Sequence, residues 1–528
     1  MLQHRFFLAM PLLTAGLALA QGSSKPGPAT SSISSSLRPS TMKVLGTVDK
    51  RFQSYNIEMV EVMGGKWWAP YGPATAATEL PSSEGNSLGA ASFRYQGPID
   101  LANPQLRRLA SALSPAYVRV SDTWANTMFF QDTDATVAGP VPAGFGSVLT
   151  GPEWKGVIDF SRAIDAKIVT SFSIGSGVRD GNGVWTPVEA AKMLNFTKDE
   201  GGSIAAAEFF NEPNMAAVEG APRGYDAAAY GRDFNVFKTF IRSADPALVI
   251  LGPGPVGEGR VLNQMPTGIK TEDLLKAEGP GLDAFSYHFY GAVSERCKAM
   301  GPQFQTAPEA ALSRQWLFAT DTDASFYSKL RDQYEPGKPL WLSETAEAAC
   351  GGNPWAADFI DSFRYLNQLG TLAQAGVKVV MHNTLTGSDY GLIDEATLNP
   401  RPNYWAAVLW HRLMGTTVLD PGTQPVPNLY LYAHCLVGHP GGVGLLAINT
   451  DSLATRSLNL PVASERYVMS AKNLMEDEVQ LNGITLELTG NGDLPVLEGL
   501  SNPAGNSLFA PTSITFVAMP NAQNSSCN

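Results

Sequence analysis

A (β/α)8 barrel with a C-terminal β-sandwich domain is the fold that this 528-residue sequence predicts. Three observations point to it. Eight short apolar runs are spread over residues 51–418, and stretches of helical period separate them. Past residue 418 the pattern changes to short β-rich runs broken by Gly, Pro and Asn. The composition, 44% hydrophobic and 16% charged with 51 Gly and 37 Pro, suits a folded chain with one large core and a smaller one.

Taken in order, residues 1–20 read as an export signal. Arg5 supplies the positive charge, residues 6–20 are mostly apolar, and Ala18-Leu19-Ala20 before Gln21 fits the Ala-x-Ala cleavage pattern. The apolar stretch is about 15 residues, short of the roughly 20 that span a bilayer. A secreted, extracellular or periplasmic protein is therefore expected, with no membrane partner. Residues 21–41, rich in Ser, Pro and Gly, should be a disordered linker, and 42–50 a strand contributed to the β-domain. The barrel strands are expected at 53–58, 117–120, 168–173, 204–210, 248–251, 284–287, 340–343 and 377–381. Amphipathic stretches such as 187–194, 227–243 and 359–375 supply helices between them. An open doubly wound sheet is the competing fold, but no Gly-x-Gly-x-x-Gly turn follows the first strand. The sandwich occupies 419–528, with β-rich runs at 429–435, 443–449, 467–471, 484–488 and 513–519.

Charge and cysteine usage narrow the function. With 37 Lys+Arg against 49 Asp+Glu the net charge is −12, which argues against nucleic acid as partner. The 4 Cys make no disulfide scaffold, and no Cys/His cluster has zinc-ligand spacing, so neither metal nor cofactor is expected. Oligomeric state is left open.

In a barrel of this kind, chemistry sits where strands end. The fourth run leads into Phe210-Asn211-Glu212-Pro213-Asn214 and the seventh into Trp341-Leu342-Ser343-Glu344-Thr345. Each brings one carboxylate to the same face. Two such groups are what glycoside hydrolysis needs: a protonated acid for the leaving oxygen and an ionised partner at the anomeric carbon. Asn211 suits a sugar 2-OH beside them. Either glutamate by itself reads as a solvated loop residue; the pair at strand ends reads as catalytic.

Further segments carry a family resemblance. Ser286-Tyr287-His288-Phe289-Tyr290 follows strand six, Ser343-Glu344-Thr345 is followed by Cys350-Gly351-Gly352, and Asp389-Tyr390-Gly391-Leu392 leads into Pro402-Asn403-Tyr404-Trp405. With the Asn-Glu-Pro-Asn segment, and in this order, they resemble glycoside hydrolase family 79, the β-glucuronidases and heparanase-like enzymes. The likeness runs from about residue 42 to the C-terminus. It implies a retaining mechanism with Glu212 as acid/base, Glu344 as nucleophile, Asn211 on the 2-OH and Tyr290 bonded to Glu344. It also implies that Tyr390 and backbone N–H groups around Cys350 and Gly351 take a glucuronate carboxylate. An Arg would be the usual clamp, yet none occurs in the strand-seven or strand-eight loop tips. Glu58 resembles a family residue on sugar hydroxyls, as does Thr123, although Ser121-Asp122-Thr123 stands where the pattern has Gly-Gly-Thr. Without the family, Tyr290 and His288 read as packing residues. Trp67, Trp68 and Trp124 are either sugar-stacking surfaces or core.

In an oxidising compartment the economical disulfides are Cys297–Cys350 and Cys435–Cys527, with three connectivities open; the second resembles a bridge of the heparanase-like branch. Asn195 and Asn524 begin glycosylation sequons. The expected function is a secreted retaining β-glucuronidase acting on terminal β-linked glucuronate. The alternatives are an endo-acting heparanase-like hydrolase on an acidic polysaccharide and a non-catalytic sugar-binding barrel.

Overall fold

Residues 35–71, 92–259, 268–422 and 426–528 are described by the computed structural model. The expected export signal and residues 21–34 of the expected linker lie outside them. Eight parallel strands close a barrel: β1 (Gln53–Glu58), β2 (Ala116–Ser121), β3 (Ala166–Thr170), β4 (Ile204–Ala207), β5 (Val249–Val256), β6 (Ala284–Tyr290), β7 (Leu340–Ala346) and β8 (Val379–His382). Each pairs with the next in chain order, and β8 returns to β1 through Val380↔Gln53 and His382↔Tyr55. All eight apolar runs are strands. β5 is longer than expected, because Gly252 and Pro253 read as breakers locally but pair with Phe285 and Ser286 of β6.

Inward side chains change character along the barrel axis. Tyr117, Val169, Ala206, Leu251, Trp341 and Met381 pack together at one level, with the Tyr117 and Trp341 rings 4.9 Å apart. Further along the same strands the inward positions are polar, among them Arg119 on β2, Ser286 and His288 on β6, and Ser343 on β7. An apolar plug thus supports a polar floor. Outward residues such as Val118 and Val120 join the core beneath the helices. The helix Gly151–Ala163 starts at a capping box of Thr150 and Glu153, and Ala227–Ala244 starts at Asp226, whose side chain accepts from Ala229 N–H.

The remaining strands form two facing sheets. The larger runs in the order Val44–Thr47, Met414–Leu419, Leu429–Leu436, Val443–Asn449, Ser513–Met519, Ser464–Ser470, Gln480–Leu481 and Ile484–Thr485, with Leu500–Asn502 also paired to Ser464–Ser470. The smaller holds Ser35–Ser36, Arg456–Leu460 and Gly505–Phe509. Leu37, Leu419, Leu445, Leu458, Phe509 and Val517 fill the space between them. The expected linker is shorter at its end: residues 35–41 are ordered, because Ser35 and Ser36 pair with Leu458 and Asn459 and Leu37 is buried. The strand Met414–Leu419 crosses the boundary expected at residue 418 and belongs to the larger sheet, since a helix and strand joined without a loop leave no compositional mark. Of the run at 484–488, only Ile484–Thr485 pairs.

Both disulfides form, Cys297–Cys350 and Cys435–Cys527. Asn195 is exposed, whereas Asn524 is buried, its amide donating to the carbonyls of Pro39 and Met42. The second sequon is therefore a structural asparagine that ties down the N-terminal segment.

Candidate active site

The site forms at the C-terminal mouth of the barrel. After β4, Glu208 N–H still donates to Thr170 of β3, and the Glu208 side chain is wholly buried. Asn126 then grips the next turn, accepting from Asn211 N–H at 2.8 Å and donating to the Asn211 carbonyl at 3.0 Å. Glu212 follows with φ +49°, a left-handed conformation ahead of Pro213. That conformation is costly for a residue with a Cβ, and the Asn126 clamp helps to hold it.

Glu344 depends on a bulge. The β6–β7 register steps from Tyr287↔Leu342 to His288↔Glu344, so Ser343 has no partner of its own. Consecutive residues then point to the same side: Ser343 donates to Glu208 at 2.8 Å while Glu344 reaches Arg119 and Tyr290.

Arg119 is the centre of the charge network. Its Nη1 donates to Glu344 Oε2 at 2.7 Å, its Nη2 to Glu208 Oε2 at 2.9 Å and to Asn211 Oδ1 at 2.8 Å. Tyr290 OH donates to Glu344 Oε1 at 2.7 Å. His288 Nδ1 lies 3.0 Å from Glu212 Oε1 and 3.8 Å from Glu344 Oε2. Oxygens of Glu212 and Glu344 and a nitrogen of His288 all lie within 4.8 Å of one another.

Two carboxylates so close are pushed apart in acidity by their neighbours. Burial raises the Glu344 carboxyl, but the His288 and Arg119 charges and the Tyr290 hydrogen bond outweigh it and hold it below its ordinary value. Burial raises Glu212, and the Glu344 charge adds to this against the pull of His288. Glu344 is thus favoured as the ionised member and Glu212 as the protonated one. Glu208 is buried too, yet Arg119 and His288 keep it ionised as the guanidinium's counter-ion.

A second group lines the mouth beside Glu344. Tyr390 OH donates to Glu58 Oε1 at 3.0 Å, and Asn383 Nδ2 donates to the same oxygen at 3.0 Å and to both phenols, Tyr290 at 3.2 Å and Tyr390 at 3.1 Å. Burial, then the Glu344 charge, push Glu58 up to about 7. Among the described residues, Glu58 Oε2 and Asn383 Oδ1 are buried without a hydrogen-bond partner.

The expected residues are therefore not all equivalent in place. Glu212, Glu344, Asn211, Tyr290, Glu58 and Tyr390 are joined by one network. Cys350 and Gly351 stand in the loop after β7, both with positive φ (+66° and +80°). Thr123 is exposed and linked only indirectly: its hydroxyl donates to Glu219, which accepts from Asn211. Trp67 is buried core, while Trp68 and Trp124 are half-buried and meet edge to face at 6.3 Å. Arg119, Glu208, Asn126, Glu219 and Asn383 escaped the sequence reading. Arg119 alone left a signal there, a single cation inside the apolar strand Tyr-Val-Arg-Val.

Glu212, His288 and Glu344 could offer three ligand atoms to a metal ion. They fit one poorly, because Arg119 already occupies Glu344 Oε2 and lies 3.3 Å from His288 Nε2, placing a fixed positive charge where the ion would go.

Comparisons with known proteins add the lineage. No family model matches the chain. Heparanase-like protein 1 of Arabidopsis thaliana is 26% identical over 484 residues, covering 81% of this chain and 86% of the relative. Baicalin-β-D-glucuronidase of Scutellaria baicalensis is 35% identical over 253 residues, 46% of each chain. These similarities to heparanase-like and β-glucuronidase proteins agree with the resemblance to glycoside hydrolase family 79. Among solved structures, a 4-O-α-L-rhamnosyl-β-D-glucuronidase from Fusarium oxysporum superposes with a TM-score of 0.58 at 13% identity, over 92% of this chain and 99% of its own, which is a likeness of fold. The chain is accordingly a glycoside hydrolase, and the carboxylate pair of its barrel mouth is the place to look for its chemistry.

Proposed function

We propose that this hydrolase is a secreted retaining β-glucuronidase that removes terminal β-linked glucuronate by double displacement. The observation that carries the reading is the Glu212–Glu344 pair. One member is held ionised by Arg119, Tyr290 and His288, the other has its pKa raised, and their oxygens come within 4.8 Å. Inverting enzymes set their carboxyl groups about 6.5–9.5 Å apart to admit a water, whereas retaining ones need only about 5–5.5 Å.

In this mechanism Glu212 protonates the glycosidic oxygen as a Glu344 oxygen attacks the anomeric carbon. Glu212, now ionised, then takes a proton from the water that hydrolyses the glycosyl ester. Tyr290 and Arg119 hold the nucleophile's oxygens in place. Asn211 keeps one amide hydrogen for the sugar 2-OH, the other being directed at Glu219. The unpartnered Glu58 Oε2 and Asn383 Oδ1 are acceptors for ring hydroxyls. Tyr390 and the Cys350–Gly351 backbone receive the C6 carboxylate, which distinguishes glucuronate from glucose.

A chromogenic β-glucuronide tests the activity, and NMR of the first-formed sugar tests the stereochemistry. The β-anomer is expected, and an α-anomer would rule out retention. Glu344→Gln should abolish turnover while leaving binding intact, because the amide is nearly isosteric. The similarity to heparanase-like proteins keeps internal cleavage of an acidic polysaccharide as the second reading. Products from glucuronate-capped and internal-glucuronate oligosaccharides separate the two: free glucuronate supports exo action, shortened oligosaccharides endo action.

A further inference from the structure

We propose that Arg296 is the positioning residue for the sugar C6 group: it holds the loop at 350–352 so that two backbone N–H groups face the substrate carboxylate. This rests on the glucuronidase reading above. Arg296 lies beyond β6, with its side chain only 5% exposed, and has no part in the Glu212–Glu344 pair. Its Nη1 donates to three successive carbonyls, Cys350 at 3.3 Å, Gly351 at 3.1 Å and Gly352 at 2.8 Å. Nε donates to Ala69 at 2.8 Å, Nη2 pairs with Asp389, and the Tyr71 ring lies 3.9 Å from Cζ.

Peptide planarity turns this grip into an orientation. In a trans peptide the N–H of one residue points opposite to the carbonyl of the residue before it. Because the Cys350 carbonyl faces Arg296, Gly351 N–H faces away. Because the Ala349 carbonyl accepts from Ser294 N–H, Cys350 N–H faces away as well. The next two N–H groups are used internally, Gly352 on the Ala348 carbonyl and Asn353 on Glu347. Cys350 and Gly351 N–H have no acceptor among the described residues. Two adjacent N–H groups make a concavity suited to an anion. The left-handed φ of Gly351, and a Cβ there that would sit 2.8 Å from Trp68 and 2.9 Å from Arg296, demand glycine.

The same cation reaches the other half of the carboxylate site. Asp389, its ion-pair partner, directly precedes Tyr390, and Asp389 N–H donates to the Gly351 carbonyl at 3.1 Å. Arg296 thus ties the N–H pair to the phenol. Its charge acts on the ligand through the peptide dipoles between them, and the guanidinium itself stays under the loop. The neighbouring disulfide, Cys297–Cys350, anchors the loop independently, so losing Arg296 should misorient the loop rather than unfold it.

The test is steady-state kinetics of wild type, Arg296→Met and Arg296→Lys on 4-nitrophenyl β-D-glucuronide and β-D-glucoside. Arg296→Met should raise KM for the glucuronide at least about tenfold with kcat within about twofold, since carboxylate contacts are made in ground and transition states alike. Hydrolysis of the glucoside should change less than about twofold, and Arg296→Lys should recover part of the loss. If Arg296→Met loses melting temperature because Asp389 is left unpaired, the pair Arg296→Met/Asp389→Asn removes both charges and must show the same KM effect. An unchanged glucuronide-to-glucoside ratio in folded variants overturns the inference while leaving the function standing. Wild-type protein inert toward the glucuronide overturns both.

Discussion

Glu344 is the residue whose surroundings say most, because its acidity is set by three neighbours that can be removed singly. Tyr290 donates to Oε1 and favours the ionised form. Tyr290→Phe deletes that donor, so the Glu344 carboxyl rises and the acid limb of the pH–kcat/KM profile moves to higher pH. The rate at the optimum should fall by about 10- to 100-fold, as a lost charge-assisted hydrogen bond implies. Glu58 titrates in the opposite sense for binding. Its carboxyl, raised to about 7 by burial and Glu344, lies against Tyr390 OH. When Glu58 is protonated it can donate to the phenol and free the Tyr390 O–H for a substrate carboxylate. When it ionises it holds the phenol's proton and repels the sugar's carboxylate. KM for a glucuronide should therefore climb as pH passes through about 7, and Glu58→Gln, which cannot ionise, should flatten the climb. KM measured across the pH range checks both. At this scale Glu212, Glu344 and Asn211 were legible because strand ends carrying Asn-Glu-Pro and Ser-Glu-Thr place them. Arg119 and Asn383 were not, because a buried ion pair or amide is identified by partners distant in the chain.

Among the elements, β7 and the helix Phe359–Gln374 show opposite relations to local pattern. The apolar run Leu340–Ser343 announces β7, yet the register slip that turns Ser343 and Glu344 to one side leaves no trace in composition. The helix reads as amphipathic, but it is buried nearly throughout, between barrel and sandwich. Gly370 explains how: it lies flat under Tyr432, where a Cβ would come within 2.3 Å of the ring, and the Tyr432 hydroxyl is pinned to Asn367 at 2.6 Å. Alanine is the better helix former by about 1 kcal/mol. The overpacking against a ring that cannot retreat costs about 1–3 kcal/mol. Gly370→Ala should lower the melting temperature by calorimetry while leaving kcat/KM at low temperature unchanged.

For the molecule as a whole, barrel and sandwich share one core. A continuous set of buried side chains joins Trp405 and Leu409 of the helix Pro402–Leu413 to Leu446, Ile448 and Phe516 of the larger sheet. The two should unfold in a single calorimetric transition, and resolved transitions would show the sandwich to be independent. The disulfide Cys435–Cys527, far along the chain from both Glu212 and Glu344, joins residues 92 apart and should act on stability alone. Cys435→Ser/Cys527→Ser should cost about 2–4 kcal/mol and lower the melting temperature without altering kcat at 25 °C.

The order of strands, the closure of the barrel and the placement of Glu212 and Glu344 at its mouth followed from the sequence, because a parallel strand buried on both faces must be an apolar run and barrel chemistry must sit where such runs end. The family resemblance added the second ring of residues. The tertiary structure decided which side chains meet: that Arg119 pairs with both Glu208 and Glu344, that Tyr390 donates to Glu58, and that Arg296 donates to the three carbonyls of 350–352. It also decided that residues 35–41 are a strand and turn of the sandwich and that Asn524 is buried. The physical reason is common to all of these. Local pattern records burial and period, both properties of a segment, whereas hydrogen bonds between buried charges depend on distances between segments that only the closed barrel brings together.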